Sequence, residues 1–259
     1  MDSKKDELFY SRLEDLKRCA IRGNLGISAF LSPREVFLAE QYLKHGGVSF
    51  ELFGGYEDSE RKKCYFLPEF LEGVSNIAEI LEYGYSFEID ALSIKGSGFE
   101  SLSHRAIMGS VLGLGIQRES IGDIIMLDDN SAILFCDSKL TEFFIDNLER
   151  VGRDKVRVRK IDILNISLPN RTFSDIADTV ASARLDCVVS ALCSLSRERA
   201  KEKIESSLVE LNYETEERPD KEVVTPAVIS VRGVGKFKVL SVSDKTKKGR
   251  YRLVAKKYL

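Results

Sequence analysis

The sequence predicts an α+β protein of three units, and three observations predict it. A capped, proline-led helix signal precedes a hairpin pattern in the first 75 residues, a βαββαβ order runs from Phe87 to Ile161, and the terminal segment interleaves basic side chains with strand-spaced apolar ones. The units are expected at 1–75, 76–165 and 181–259. A chain of 259 residues that is 43% hydrophobic can fill ordinary cores.

In the first unit Phe9, Leu13, Leu16 and Ala20 recur at helical spacing, and Gly23 offers a stop. Ser32-Pro33-Arg34-Glu35 then combines a capping hydroxyl, a proline at the first helical position and a glutamate three residues after the cap. This second helix is expected to reach about Lys44 and stop at Gly46-Gly47, with His45 as a cation near its C-terminus. Val48 to Phe53 alternates apolar and polar residues, turns around Gly54-Gly55, and is expected to pair with Lys63 to Leu67.

The middle unit reads as strand Phe87–Lys95, helix Leu102–Leu114, strands Asp123–Leu127 and Ser131–Cys136 around Asp128-Asp129-Asn130, helix Ser138–Val151, and strand Lys155–Ile161. That order is the one of a ferredoxin-like fold, which RNA-recognition motifs share. The third strand, Ser131-Ala132-Ile133-Leu134-Phe135-Cys136, lacks the alternating aromatics of an RNA-recognition motif, so base stacking on this RRM-like sheet is not expected. Asp162 to Ala181 reads as a polar connector around Pro169-Asn170-Arg171, with a domain boundary near 175–181.

Charge divides the chain more sharply than its net value of −2 suggests. Residues 181–259 hold 17 Lys and Arg against 11 Asp and Glu, which leaves 22 against 30 for residues 1–180. Residues 230–259 alone carry ten basic side chains and one acid, Asp244, among Val231, Phe237, Val239, Leu240, Val242, Leu253 and Val254 at strand-like spacing. A basic folded surface of this kind suits a polyanion. Five scattered cysteines without a two-residue gap point to buried thiols rather than a zinc or redox pair. No apolar run reaches the ~18 residues of a membrane span, and a soluble, cytoplasmic protein is expected.

Arg184 precedes a helix that turns Leu185, Val188, Val189 and Leu192 inward, leaving its guanidinium free to fork onto a phosphate or to pair with Asp186. Ser196 is expected to cap the next helix, whose start also suits an anion, with Arg197, Arg199 and Lys201 on its first turns. Asn212, Arg232, Lys236 and Lys238 are expected to add contacts from strands to the same groove. Gly233 and Gly235 mark a bend between strands, and Lys245, Lys247, Lys248, Arg250 and Arg252 a basic hairpin. His104 and Arg105 open the central helix, without a nucleophile or metal set beside them.

The run Leu102-Ser103-His104-Arg105 through Gly109, Leu112-Gly113-Leu114-Gly115-Ile116, Arg118 and Ile121-Gly122-Asp123-Ile124 resembles the central motif of the bacterial YlmH family. The segment from Ser182 onward resembles the S4 RNA-binding domain, and the two in this order are that family's architecture. Ala106 stands where the family usually has an acid, and Ser207 where the S4 domain usually has a glycine, in the turn between Ile204 and Val209. The resemblance implies a non-catalytic, cofactor-free factor that contacts 23S rRNA and tRNA on the large ribosomal subunit in quality control of stalled peptidyl-tRNA complexes. Two other classes stay open: a protein-interaction factor in cell division that works through the acidic N-terminal region, and an RNA-modifying enzyme, since S4-type domains are also appended to such enzymes and Arg184-Leu185-Asp186 resembles their active-site triplet.

Overall fold

The computed structural model describes residues 3–43, 47–74, 77–169, 172–246 and 249–258, which form mixed α and β structure in two compact units, 1–169 and 170–259. His45, Lys247 and Lys248 lie outside the described residues.

In unit 1, α1 (Ser3–Ile21) buries Phe9, Leu13 and Ala20. It stops where Gly23, at φ +83, donates to the Ala20 carbonyl while Asn24 donates to Cys19, a turn that asks for a left-handed residue. After β1 (Gly26–Ile27), α2 (Pro33–Leu43) starts on the expected reciprocal cap: the Ser32 amide donates to Glu35 at 2.7 Å and the Glu35 amide donates to the Ser32 hydroxyl at 3.3 Å. β2 (Phe50–Phe53) and β3 (Lys63–Phe66) form the expected hairpin, and β1 adds a third antiparallel strand to β3.

A second sheet follows from β4 (Ile89–Gly96), α3 (His104–Gly113), β5 (Ile121–Asp128), β6 (Ser131–Asp137), α4 (Thr141–Asn147), β7 (Arg150–Val151) and β8 (Asp154–Ile161). Its order is β5-β6-β4-β8-β7, with every pairing antiparallel. The second helix of this region is shorter than Ser138–Val151. Its first residues, Ser138–Leu140, form a 3-10 turn, and Arg150 and Val151 turn back as a strand edge against β8. Leu92, Ile94, Leu134 and Val158 on one sheet face pack against Ile107, Val111 and Phe144 of the helices. The other face meets the N-terminal elements, where Ala91, Ile133 and Phe135 pack with Phe30, Tyr65, Leu71 and Ile80.

Buried polar groups bind those N-terminal elements to the second sheet. Arg61, 7% exposed, donates to the carbonyls of Ile121 (2.7 Å), Arg118 (3.0 Å) and Phe30 (3.1 Å). Burial draws its guanidinium down to about 10, the neighbouring Arg118 acting in the same sense. Asp123 accepts from the Tyr56 hydroxyl and the amides of Glu60 and Arg61. Lys63, 1% exposed, donates to the Glu88 carbonyl at 2.9 Å and to Asp137 at 3.0 Å. At Gly122 a Cβ would stand 2.8 Å from the Phe30 ring, so Ile121-Gly122-Asp123-Ile124 is accounted for by packing.

Unit 2 begins earlier than a boundary at 181. The stretch read as connector supplies β9 (Phe173–Val180), and the chain continues through α5 (Leu185–Cys193), α6 (Arg197–Glu205), β10 (Val209–Leu211), β11 (Glu214–Thr215), β12 (Ala227–Val231), β13 (Gly235–Lys245) and β14 (Tyr251–Tyr258). The sheet order is β11-β10-β12-β13-β14-β9, and eight residue pairs join β14 to β9. Leu185, Val188, Val189, Leu192, Ala200 and Ile204 of the helices share one core with Ile229, Phe237, Val239 and Leu253 of the sheet. Alternation with the core residues Val239, Leu253 and Ala255 turns Leu240 and Val254 outward, where they stay about two-fifths exposed, and a register shift between Val239 and Ser241 brings Val242 opposite Leu253 on the core side.

Candidate nucleic-acid interface

The nominated residues of unit 2 separate into two groups on opposite sides of its sheet. The first sits where α5 meets α6. α5 ends at Ser194, whose φ of +53 lets Leu195 donate to the Ser190 carbonyl, and Ser196 then caps α6 by accepting from the Arg199 amide at 3.3 Å. Arg184 and Arg197 are thereby brought to one carboxylate, that of Asp186, which is fully buried. Arg184 reaches it at 3.2 and 3.3 Å, and Arg197 at 2.9 and 3.0 Å.

The Arg184 guanidinium is therefore not free, a correction with a plain cause: a carboxylate removed from water needs charged donors, and these two are within reach. Burial alone would push the Asp186 carboxyl up, yet the hydrogen bonds from Arg184 and Arg197 hold it below the usual carboxylate range. Both guanidiniums keep an outer edge in solvent, with side chains 41% and 51% exposed. One buried anion orients two cations and leaves one positive charge over. The start of α5 is further fixed by the segment before β12, since Leu185 and Asp186 donate to the carbonyls of Lys221 and Pro219. Arg197 also lines a cleft with Thr179, Ser190, Ser194 and Arg250, while Arg199 stands exposed and Lys201 half-buried on α6.

Lys236 and Lys238 belong to the second group. They alternate with the core residues Phe237 and Val239 on β13, so they face away from α5 and α6. The structure thus does not bring all nine nominated residues to one groove. The Lys236 ammonium lies 5.1 Å from the Tyr213 ring centroid and 5.0 Å from that of Tyr258. Lys238 is opposite Lys256, whose ammonium lies 5.6 Å from the Phe173 ring. Arg232 is exposed just beyond β12, ahead of the bend that Gly233 makes at φ +79.

Asn212 is a second correction. It lies in the two-residue turn between β10 and β11 at φ +52, with Tyr213 at +68, and its side-chain oxygen accepts from the Val228 amide at 2.9 Å. A hairpin this tight needs left-handed residues at both central positions, which asparagine tolerates, so this side chain is engaged in holding the turn. Tyr213, Phe173, Lys256 and Tyr258 were not nominated. The alternation Lys256-Lys257-Tyr258 was the available signal, but the partners come from segments about 45 and 85 residues away.

Elsewhere, His104 and Arg105 are exposed on the first turn of α3, behind a Ser103 cap that accepts from the Ala106 amide. Cys64, Cys136 and Cys187 are buried, Cys193 is half-buried and Cys19 is exposed, which corrects the expectation that all five are buried. Burial pushes the Cys64 and Cys136 thiols up to about 12. Among the described residues no helix is long and apolar enough to cross a membrane, and no group of three or more His, Cys, Asp or Glu could hold a metal ion.

Residues 84–165 match the family model described as "Putative RNA-binding domain in YlmH". Over 228 residues, 88% of this chain and 85% of the relative, the sequence is 27% identical to the ribosome-associated protein quality control protein P2 of Bacillus subtilis (strain 168). A solved structure titled cell division protein ylmH from Streptococcus pneumoniae aligns with 63% of this chain and 92% of its own, at 22% identity and a TM-score of 0.49.

Proposed function

The chain is YlmH-like over most of its length, and from that premise we propose that it is a non-catalytic, cytoplasmic RNA-binding factor that acts on the large ribosomal subunit in quality control of stalled translation. Unit 2 is its S4-type RNA-binding domain, the sheet of β4, β5, β6 and β8 its ferredoxin-like, RRM-like domain, and 23S rRNA and tRNA its ligands. The order β5-β6-β4-β8 supports the second assignment, because a βαββαβ chain that places its first strand beside its third and fourth has this order.

The observation that carries the reading is the α5–α6 corner, where Asp186 holds Arg184 and Arg197 half in solvent beside exposed Arg199. Guanidiniums fixed in orientation lose less freedom on meeting a phosphate, and the capped start of α6 adds amide dipoles directed outward. The same geometry speaks against Asp186 as the acid of an RNA-modifying enzyme. Such a group must reach its substrate, and this carboxylate is fully buried and enclosed by two arginines.

Cosedimentation with large ribosomal subunits across a salt titration tests the reading. Arg199→Ala/Lys201→Ala removes cations that hold no ion pair among the described residues, so it probes RNA contact without disturbing the Asp186 cluster. Binding is expected to weaken by about 1 kcal/mol or more, with a salt slope shallower by about 0.7–0.9 for each phosphate no longer neutralised. Wild-type retention with an unchanged slope would remove the corner from the interface.

A further inference from the structure

We propose that the uncovered half of the β4–β6–β8 sheet face in unit 1 is a second RNA-contacting surface, which holds the phosphate backbone of double-helical RNA through Lys95, Arg150, Lys155, Arg157 and Arg159. The inference rests on the reading that this chain binds RNA, and it names a surface distinct from the α5–α6 corner.

The strand registers place these side chains together. Lys95 pairs with Arg157, Ser93 with Arg159 and Arg150 with Lys155, so all five cations project from the face that also carries Ala91, Ile133 and Phe135. One half of that face, around Phe135, is covered by Phe30, Tyr65 and Leu71. The other half is open, and all five cations are exposed. None of them forms an ion pair with another described residue. The acid in their rows is Asp128, held below the usual carboxylate range first by the Asn130 amide and only lastly by Lys95.

Such an arrangement disfavours the fold. Like charges directly opposite on neighbouring strands repel, and Lys95–Arg157 and Arg150–Lys155 are two such pairs side by side. Along the remainder of β4 and β8 the sequence avoids the conflict: Lys160, on the opposite face, has Asp90 at 2.7 Å. Five unpaired cations crowded together where apolar or mixed-charge residues would suit the sheet better are accounted for by an anionic ligand that spans several of them.

The choice of ligand follows from what accompanies the charge. Ser93 and Ser131 fill the rows between the cations, and no aromatic ring belongs to them. Single-stranded RNA is held by stacking its bases on rings, whereas a double helix offers phosphates and hydroxyls to charged and small polar side chains. On β8, Lys155, Arg157 and Arg159 repeat every ~6.6 Å along the strand, a linear row suited to one backbone.

The full chain and its Lys95→Gln/Arg157→Gln/Arg159→Gln variant are to be compared for binding to a short RNA hairpin, a single-stranded RNA of equal length and poly-glutamate, between about 50 and 200 mM salt. Expected are a loss of hairpin affinity of tenfold or more at low salt, a salt slope shallower by about 2–3, smaller changes for the single strand, and a melting temperature equal to or above wild type. An unchanged slope, a fall in melting temperature, or an equal loss of poly-glutamate binding would overturn the proposal, the last by marking a face for acidic protein. Cosedimentation of the wild-type chain with large subunits is scored separately: its absence beside the expected hairpin result counts against the ribosomal reading, and its presence beside an unchanged hairpin slope counts against this face.

Discussion

At the scale of single residues, Asp186 shows how a site residue can be visible in sequence while its role is not. Arg184-Leu185-Asp186 and Arg197 were legible as a basic cluster with an acid inside it. Which way the guanidiniums point depended on whether Asp186 keeps its water, and that is decided by α5 packing on the sheet. Its folded carboxyl titrates below the unfolded value of ~3.9, so its stabilisation is fully present above that pH and is lost as pH falls through the folded value. Asp186→Asn is expected to destabilise unit 2 by about 2 kcal/mol near neutrality and to flatten the acid limb of its stability curve, as measured by urea unfolding from pH 7 to about 3. Ser207 is a second such case. S4 domains, which this segment resembles, usually have a glycine here, and a serine in its place put the turn between Ile204 and Val209 in doubt because serine accepts a positive φ less readily, yet Ser207 adopts the left-handed conformation at φ +57. Ser207→Gly is expected to raise the urea midpoint of unit 2 by the equivalent of about 0.5–1 kcal/mol, less whatever the hydrogen bond from its hydroxyl to Glu217 contributes.

At the scale of elements, the strongest local signals gave the most faithful elements. Ser32-Pro33-Arg34-Glu35 specified the start of α2, and the apolar runs on either side of the Asp128-Asp129-Asn130 turn specified β5 and β6, because caps and turn-bounded apolar runs are local chemistry. β9 was missed for the opposite reason. Phe173-Ser174-Asp175-Ile176-Ala177-Asp178-Thr179-Val180 is polar at half of its positions without a period-2 pattern, since an edge strand buries little, and it becomes a strand only by pairing with β14. A fragment of residues 181–259 would expose β14 as an edge and lose the burial of Val180. Compared with residues 170–259 by gel filtration and thermal melting, the shorter fragment is expected to melt lower and to self-associate.

At the scale of the whole molecule, two compact units predict two unfolding transitions rather than one. Residues 170–259 carry 18 Lys and Arg against 13 Asp and Glu, and residues 1–169 carry 21 against 28, so the two respond differently to ionic conditions. Scanning calorimetry of the full chain is expected to resolve two peaks, of which Asp186→Asn moves one and leaves the other in place. A single peak shifted as a whole would mean that the units unfold as one. The acidic bulk of unit 1 nonetheless carries the row on β8 that the net charge hides, since Lys155-Val156-Arg157-Val158-Arg159-Lys160 is basic at every second position. That pattern is legible once the strand is placed. Its meaning is not, because only the registers with β4 and β7 put Lys95 and Arg150 on the same face.

What the sequence by itself determined is what local chemistry determines: the helix caps, the strand alternation, the basic bias of the last eighty residues and the resemblance to YlmH. What only the tertiary structure decided is who faces whom. The sheet of unit 2 sends Lys236 and Lys238 to the side opposite Arg184 and Arg197, Asp186 draws both arginines to itself, and N-terminal residues cover half of one sheet face while its basic half stays open. The physical reason is common to all three. Burial and facing depend on packing between segments far apart in the chain, and a charged side chain takes its role from the partner that folding brings to it.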